Sequence, residues 1–250
     1  MDQQVSLKTL TQYGQTLSLP PGKNQTVKAR QVILFIAVLI LADQALKFYI
    51  KLNYYAGEEH LVLGQWFRLH FVENEGMAWG WKFGGEFGKI ALTLFRLVAV
   101  IWGSFLLRGF IQKKYHTGFL VCASLIYAGA LGNLIDSLFY GLIFEASDPF
   151  VQNTAQLVAA GKGYAGLLHG KVVDMLYFPL INTTWPTWVP FVGGEPLEFF
   201  RPVFNLADAC ISGGVIALLL FQNKFLQPPA PVAHHTVETR ADVSDETQVS

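Results

Sequence analysis

Apolar residues in this chain gather into four long blocks, 31–50, 89–111, 118–140 and 203–225, and charged and turn-forming residues return between them. An α-helix rises 1.5 Å per residue, so about 20 residues cross a hydrocarbon core of roughly 30 Å. Each block meets that length and predicts a transmembrane helix. The fold class is therefore a mainly α membrane protein with four spans within 31–226. In the connection between the first two blocks, apolar and polar positions alternate around 61–72, and the later run Val172-Val173-Asp174-Met175-Leu176-Tyr177-Phe178 reads as extended or interfacial.

Composition agrees with the blocks. Of 250 residues, 52% are hydrophobic and 14% charged, and the formal net charge is zero, which leaves no basic excess for nucleic acid. The first thirty residues are polar and carry the turn signal Pro20-Pro21-Gly22; they do not read as a secretory signal peptide, so the first block is expected to stay as a span. Lys23, Lys28 and Arg30 precede the first span, and Arg108, Lys113 and Lys114 lie between the second and third, whereas the other two connections are acidic or mixed. The positive-inside rule then puts both termini in the cytoplasm, with 1–30 as a cytoplasmic segment. The polar stretch 227–250 is expected to be a disordered cytoplasmic tail.

An ionisable residue inside a membrane-spanning segment is costly unless it is paired or functional. With this orientation Asp43 and Lys47 fall in the outer half of the first span, and Asn133 and Asp136 near the outer end of the third. Asn205 and Asp208 fall in the first two turns of the fourth, and Asp174 in the outer connection some thirty residues earlier. Polar groups from separate segments converge on one face of the membrane. Gly129, Asn133, Asp136 and Tyr140 share a helix face, with Gly129 and Gly132 as packing positions. Asp43 and Lys47, four apart, suit an ion pair as well as they suit a catalytic role. Arg96 sits about 10 Å inside the outer end of the second span and requires an acidic partner. Cys210 faces away from Asp208, so Cys122 and Cys210 read as small buried hydrophobes. Trp66, Trp79, Trp81, Trp185 and Trp188 read as interfacial anchors.

The chain has no His-Glu-x-x-His or paired Cys-x-x-Cys pattern, no Gly-x-Ser-x-Gly elbow and no phosphate-cradling glycine loop, and His60, His70, His116 and His169 lack ligand spacing. No metal or cofactor is expected, and carboxylates remain as the chemical groups. A transporter also places carboxylates in the membrane. Against that class, the chain has no internal repeat and its acids gather at one face. A purely structural protein would leave Asp174, Asp208, Asp136 and Asn205 without purpose.

Five stretches, taken in order, resemble the motifs of the lipoprotein signal peptidases, or signal peptidase II. They are Asp43-Gln44-x-x-Lys47, Asn74-Glu75-Gly76-Met77-Ala78-Trp79-Gly80, the run from Gly129 to Asp136, Val172-Val173-Asp174, and Phe204-Asn205-x-Ala207-Asp208. The resemblance implies an aspartyl endopeptidase of the bacterial cytoplasmic (inner) membrane, in contact with membrane lipid and monomeric. Asp174 and Asp208 would be the catalytic pair, and Asp43, Lys47, Asn74, Gly76, Asn133, Asp136 and Asn205 would shape or support the site. It implies a small β-structured extracytoplasmic cradle around 61–72. The implied substrates are diacylglyceryl-modified prolipoproteins, cut before the lipidated cysteine by carboxylate-activated water without an acyl-enzyme.

Two departures from the family pattern carry expectations of their own. Ser137 stands where the family usually has arginine, so Arg96 is expected to fill that place by contacting Asp136 or the polar network beside it, with Arg201 as runner-up. About thirty-five residues, 137–171, separate the third-span motif from Val172, where the family's interval is short. The extra segment, roughly 142–170, is expected to be an extracytoplasmic insertion and a passive interfacial element.

Overall fold

The computed structural model describes residues 27–75, 85–159, 161–179, 181–199 and 202–225. The expectations placed on Gly76, Trp79, Trp81, Arg201 and the tail lie outside the described residues, as does most of the N-terminal segment. Among the described residues, four helices are long and apolar enough to cross a membrane: α1 (Ala29–Asn53), α2 (Gly85–Gln112), α3 (Thr117–Ile143) and α4 (Leu206–Phe225). α3 is the central helix and packs against the other three. Its buried residues accordingly run along most of its length. The other helices turn large apolar side chains outward, among them Leu34 and Leu41 on α1, Phe95 and Phe105 on α2, and Leu219 and Leu220 on α4. In a bilayer these make a lipid-facing surface, since acyl chains are as apolar as leucine. α3 and α4 approach closely at Gly129, where a Cβ would lie 2.2 Å from the carbonyl oxygen of Ala207.

Helix limits follow from local chemistry. At the start of α1 the backbone N–H of Lys28 donates to Gln31 Oε1 at 2.9 Å, and at α3 the ring of His116 accepts from the backbone N–H of Gly118 at 3.0 Å. α4 begins at Leu206, later than the block starting at 203 predicts. Val203 and Phe204 are extended and pair with Tyr177 and Leu176, and Asn205 then caps the helix, its Oδ1 accepting from the backbone N–H of Asp208 at 2.8 Å. α1 runs past 50 because Lys51, which charge alone would place outside the span, is buried among partners.

Six strands accompany the helices among the described residues: β1 (Glu59–Leu63), β2 (Phe67–Asn74), β3 (Val172–Tyr177), β4 (Ile181–Thr184), β5 (Pro196–Phe199) and β6 (Val203–Phe204). β1, β2, β3 and β6 form one antiparallel sheet in that order, and β4 and β5 form a separate hairpin. The alternation around 61–72 thus becomes the β1–β2 hairpin. The described residues between α3 and β3 contain no named helix or strand, and they pack on the fold: Ser147 and Ala155 are buried, and Tyr164 packs on the core. That core lies where the ends of α1 and α3 meet the sheet and contains Ile50, Phe71, Tyr140, Phe144, Val173 and Met175. Successive strand residues face opposite ways. Val173 and Met175 therefore enter this core, and Asp174 between them turns to the other face.

Candidate active site

That other face brings Asp174 to α4. Asp174 is 2% exposed. Its Oδ2 accepts from Asn74 Nδ2 at 3.0 Å and its Oδ1 from Asn205 Nδ2 at 2.7 Å. Asn74 is placed by the sheet register: Val72 pairs with Asp174, and Asn74, two residues on, shares its face. Asn205 is placed by its capping role. One side chain therefore starts α4, orients Asp208 through the backbone, and holds Asp174.

Asp208 is half-buried in the first turn of α4. Asn133 Nδ2 donates to its Oδ1 at 2.7 Å, while Asn133 Oδ1 accepts from Asn205 Nδ2 at 3.1 Å and Lys47 Nζ at 2.9 Å. Asn133 thus connects the two aspartates to a second group deeper in the protein. There Lys47, fully buried, bridges Asp43 at 2.9 Å and Asp136 at 2.7 Å. With Asn133 these partners occupy the three ammonium protons. Asp43 also accepts from the backbone N–H of Ala207 at 2.9 Å, which ties α1 to the first turn of α4. Gln44 donates to Asp136 at 2.9 Å and accepts from the Tyr140 hydroxyl at 3.1 Å.

Arg96 donates to Ser137 Oγ at 3.0 Å, and that hydroxyl donates to the carbonyl oxygen of Asn133 at 2.9 Å. Asp208, Asp136 and Asp174 are the acids whose fields reach its guanidinium. The cation from α2 therefore stands against the position after Asp136. Among the described residues, four carboxyl groups, Asp43, Asp136, Asp174 and Asp208, share this region with two cations, Lys47 and Arg96. The imbalance falls on Asp174 and Asp208, because Lys47 is committed to the other two. Burial first, and the Asp208 charge second, push the Asp174 carboxyl up to about 7, against the opposing pull of Asn74, Asn205 and Lys47. A buried carboxyl in this range can hold a proton and hand it to or from a reacting group near neutrality.

The structure brings together Asp43, Lys47, Asn74, Arg96, Asn133, Asp136, Asp174, Asn205 and Asp208. Gly76 is outside the described residues. Cys122 and Cys210 are buried and free. Among the described residues no cluster of His, Cys, Asp or Glu is suited to hold a metal ion. Sequence reasoning assigns no separate role to Gln44 or to Lys51. The available signal was spacing: Lys51 repeats the interval from Asp43 to Lys47 one helical turn later.

Three bilayer-length helices around a central fourth, with a sheet delivering an acid to the start of the last helix, define a polytopic membrane protein with an enclosed acid pair. A solved bacterial membrane enzyme, determined by the in meso method at 2.3 Å, has the same fold at a TM-score of 0.50 and 24% identity, covering 78% of this chain and 89% of its own. The sequence profile of signal peptidase (SPase) II matches residues 35–224. A lipoprotein signal peptidase of Porphyromonas gingivalis is 47% identical over 203 residues, 81% of this chain and 84% of the relative. One from Amoebophilus asiaticus is 33% identical over 214 residues, 84% of each chain. The chain belongs to the signal peptidase II family, a family of peptidases, and is a bacterial membrane protein.

Proposed function

We propose that this protein is an aspartyl endopeptidase that removes the signal peptide from diacylglyceryl-modified prolipoproteins in the bacterial cytoplasmic membrane. It acts as a monomer, with both termini in the cytoplasm and the site toward the outer face. The observation that carries the reading is the meeting of Asp174 and Asp208, from a strand and a helix, through the single side chain of Asn205. A polar site at the outer ends of the spans suits a substrate whose signal helix and lipid both remain in the bilayer.

In this reading Asp174 holds the proton at rest, because burial and the neighbouring charge both favour its neutral form. Asp208 acts as the base: it lies at the positive end of the α4 dipole, and Arg96 faces it. Water loses a proton to Asp208 and attacks the scissile carbonyl while Asp174 donates to the carbonyl oxygen. The proton then passes to the leaving amine, and no bond to the enzyme forms. Asn74, Asn133 and Asn205 hold the carboxylates in register, Asp43, Lys47 and Asp136 hold the helices that carry them, and Arg96 tempers the negative charge.

The test is cleavage by purified protein of one precursor with and without the diacylglyceryl group. The lipidated form should turn over at least about a hundredfold faster, since a site with few polar anchors draws its binding energy from lipid and small side chains. Equal turnover of the two forms would replace this reading with a general intramembrane protease.

A further inference from the structure

A second buried ion cluster lies apart from the aspartates, where the segment 144–171 meets the sheet. Lys51 is one turn beyond Lys47 on α1 and is fully buried. Its ammonium pairs with Glu73 and donates to Ser147 Oγ at 2.9 Å. It rests over the rings of Phe71, Phe144 and Tyr164, with the Tyr164 centroid 5.2 Å away. Glu73 also receives Lys171 Nζ at 3.0 Å, and the backbone N–H of Lys171 donates to the Tyr164 hydroxyl at 2.6 Å. Burial opposes ionisation of Glu73, but Lys51 and Lys171 together hold its carboxyl below the usual range. Helix α1, strand β2 and the residue preceding β3 meet at this one carboxylate, and the inserted segment joins them through Ser147 on Lys51 and Tyr164 on Lys171.

The same segment is bonded along the end of α3. The backbone N–H groups of Ala165, Tyr164 and Gly170 donate to the carbonyls of Gly141, Phe144 and Ser137 at 2.9, 3.0 and 2.9 Å. Two of these carbonyls belong to the last turn of α3 or its cap, which otherwise lack helical partners. At Gly170 a Cβ would lie 1.9 Å from the carbonyl oxygen of Asp136, so the approach admits glycine alone. Lys171 is thereby fixed from both sides, three residues before Asp174. On the partner strand Glu73 is in register with Val173, and its neighbour Asn74 donates to Asp174.

We propose that Lys51, Glu73 and Lys171 are positioning residues that, with the inserted segment, form a latch fixing β3 against α3 and so setting where Asp174 stands relative to Asp208. The proposal rests on the role given above to that aspartate pair. It makes the insertion part of the catalytic scaffold. Displacements of about 1 Å at reacting groups can cost about a hundredfold in rate, so a loosened latch acts on turnover before it acts on binding.

The test uses the full chain in detergent with the lipidated precursor. Lys171→Met should lower kcat about tenfold, leave KM within about threefold, and speed amide exchange in 172–177 without speeding it in the helices; Lys171→Arg should restore both readouts. Glu73→Gln should have the larger effect. Should it fail to fold, Lys171→Met still decides the matter, because it leaves the Lys51–Glu73 pair in place. Wild-type kcat and wild-type exchange in Lys171→Met would overturn the latch, as would faster exchange spread evenly through the helices. Failure of the wild type to cleave the precursor would remove the proposed function, while exchange in β3 would still report on the latch.

Discussion

The two pairs of aspartates in this site differ less in depth than in the company they keep. Asp43 and Asp136 are buried and share a lysine whose three protons all have acceptors. Asp174 and Asp208 are joined by asparagines, which orient carboxyl groups without neutralising them. Removing charge from water inside a membrane protein requires compensation. The first pair receives it from Lys47 and becomes an anchor between α1, α3 and α4. The second pair is compensated in part by Arg96, and the proposed mechanism adds a proton held on Asp174. Under the proposed function, a buried aspartate of this protein carries chemistry where its partners are neutral amides and structure where its partner is a committed cation.

If this contrast is right, substitutions in the two pairs should separate activity from stability. The largest effect belongs to the asparagine-linked pair: Asp174→Asn or Asp208→Asn should lower kcat by about 10²–10⁴, as measured on the lipidated precursor, while thermal stability in detergent shifts little. Lys47→Met should do the reverse in order of cause. It strands two buried acids, so the folded state should lose roughly 3–5 kcal/mol in a detergent unfolding titration, and activity should fall with the folded fraction.

Arg96→Leu should be milder. The structure gives Arg96 a hydrogen bond to Ser137 within the fields of three acids, and loss of a charged hydrogen bond costs about 1.5–3 kcal/mol. Ser137→Ala, which removes the neutral partner, should cost about 1 kcal/mol in the same titration. The smallest effect is on pH dependence of stability. Asp174 binds its proton more tightly folded than unfolded, so its contribution is complete below the unfolded value of about 4 and is lost as pH rises through about 7. Asp174→Asn should flatten that part of the stability profile; an unchanged slope there would contradict the assignment.

Much of this was legible in the sequence because it depends on composition and short spacing. Four apolar blocks become four helices, and the alternation around 61–72 becomes paired strands. The face shared by Gly129, Asn133, Asp136 and Tyr140 is simply helical periodicity, and the structure finds Asn133, Asp136 and Tyr140 all hydrogen-bonded in one network. What was not legible depends on distant partners. Val203 and Phe204 are apolar enough to extend a helix and leave it only because β3 pairs with them. Gly170 looks like one more glycine in an Ala- and Gly-rich stretch until α3 is set against it. Lys51 reads as a span boundary until Glu73, Ser147 and three aromatic rings surround it.

The central claim, that Asp174 holds the proton of the Asp174–Asp208 pair while Asp43 and Asp136 are paired with Lys47, is tested most directly by infrared difference spectroscopy of the carboxyl C=O band. The wild type should show a protonated carboxyl at about pH 6 that titrates away near pH 7, and the band should vanish in Asp174→Asn but persist in Lys47→Arg. Absence of a protonated carboxyl above about pH 5, or a band that survives in Asp174→Asn, would contradict the account.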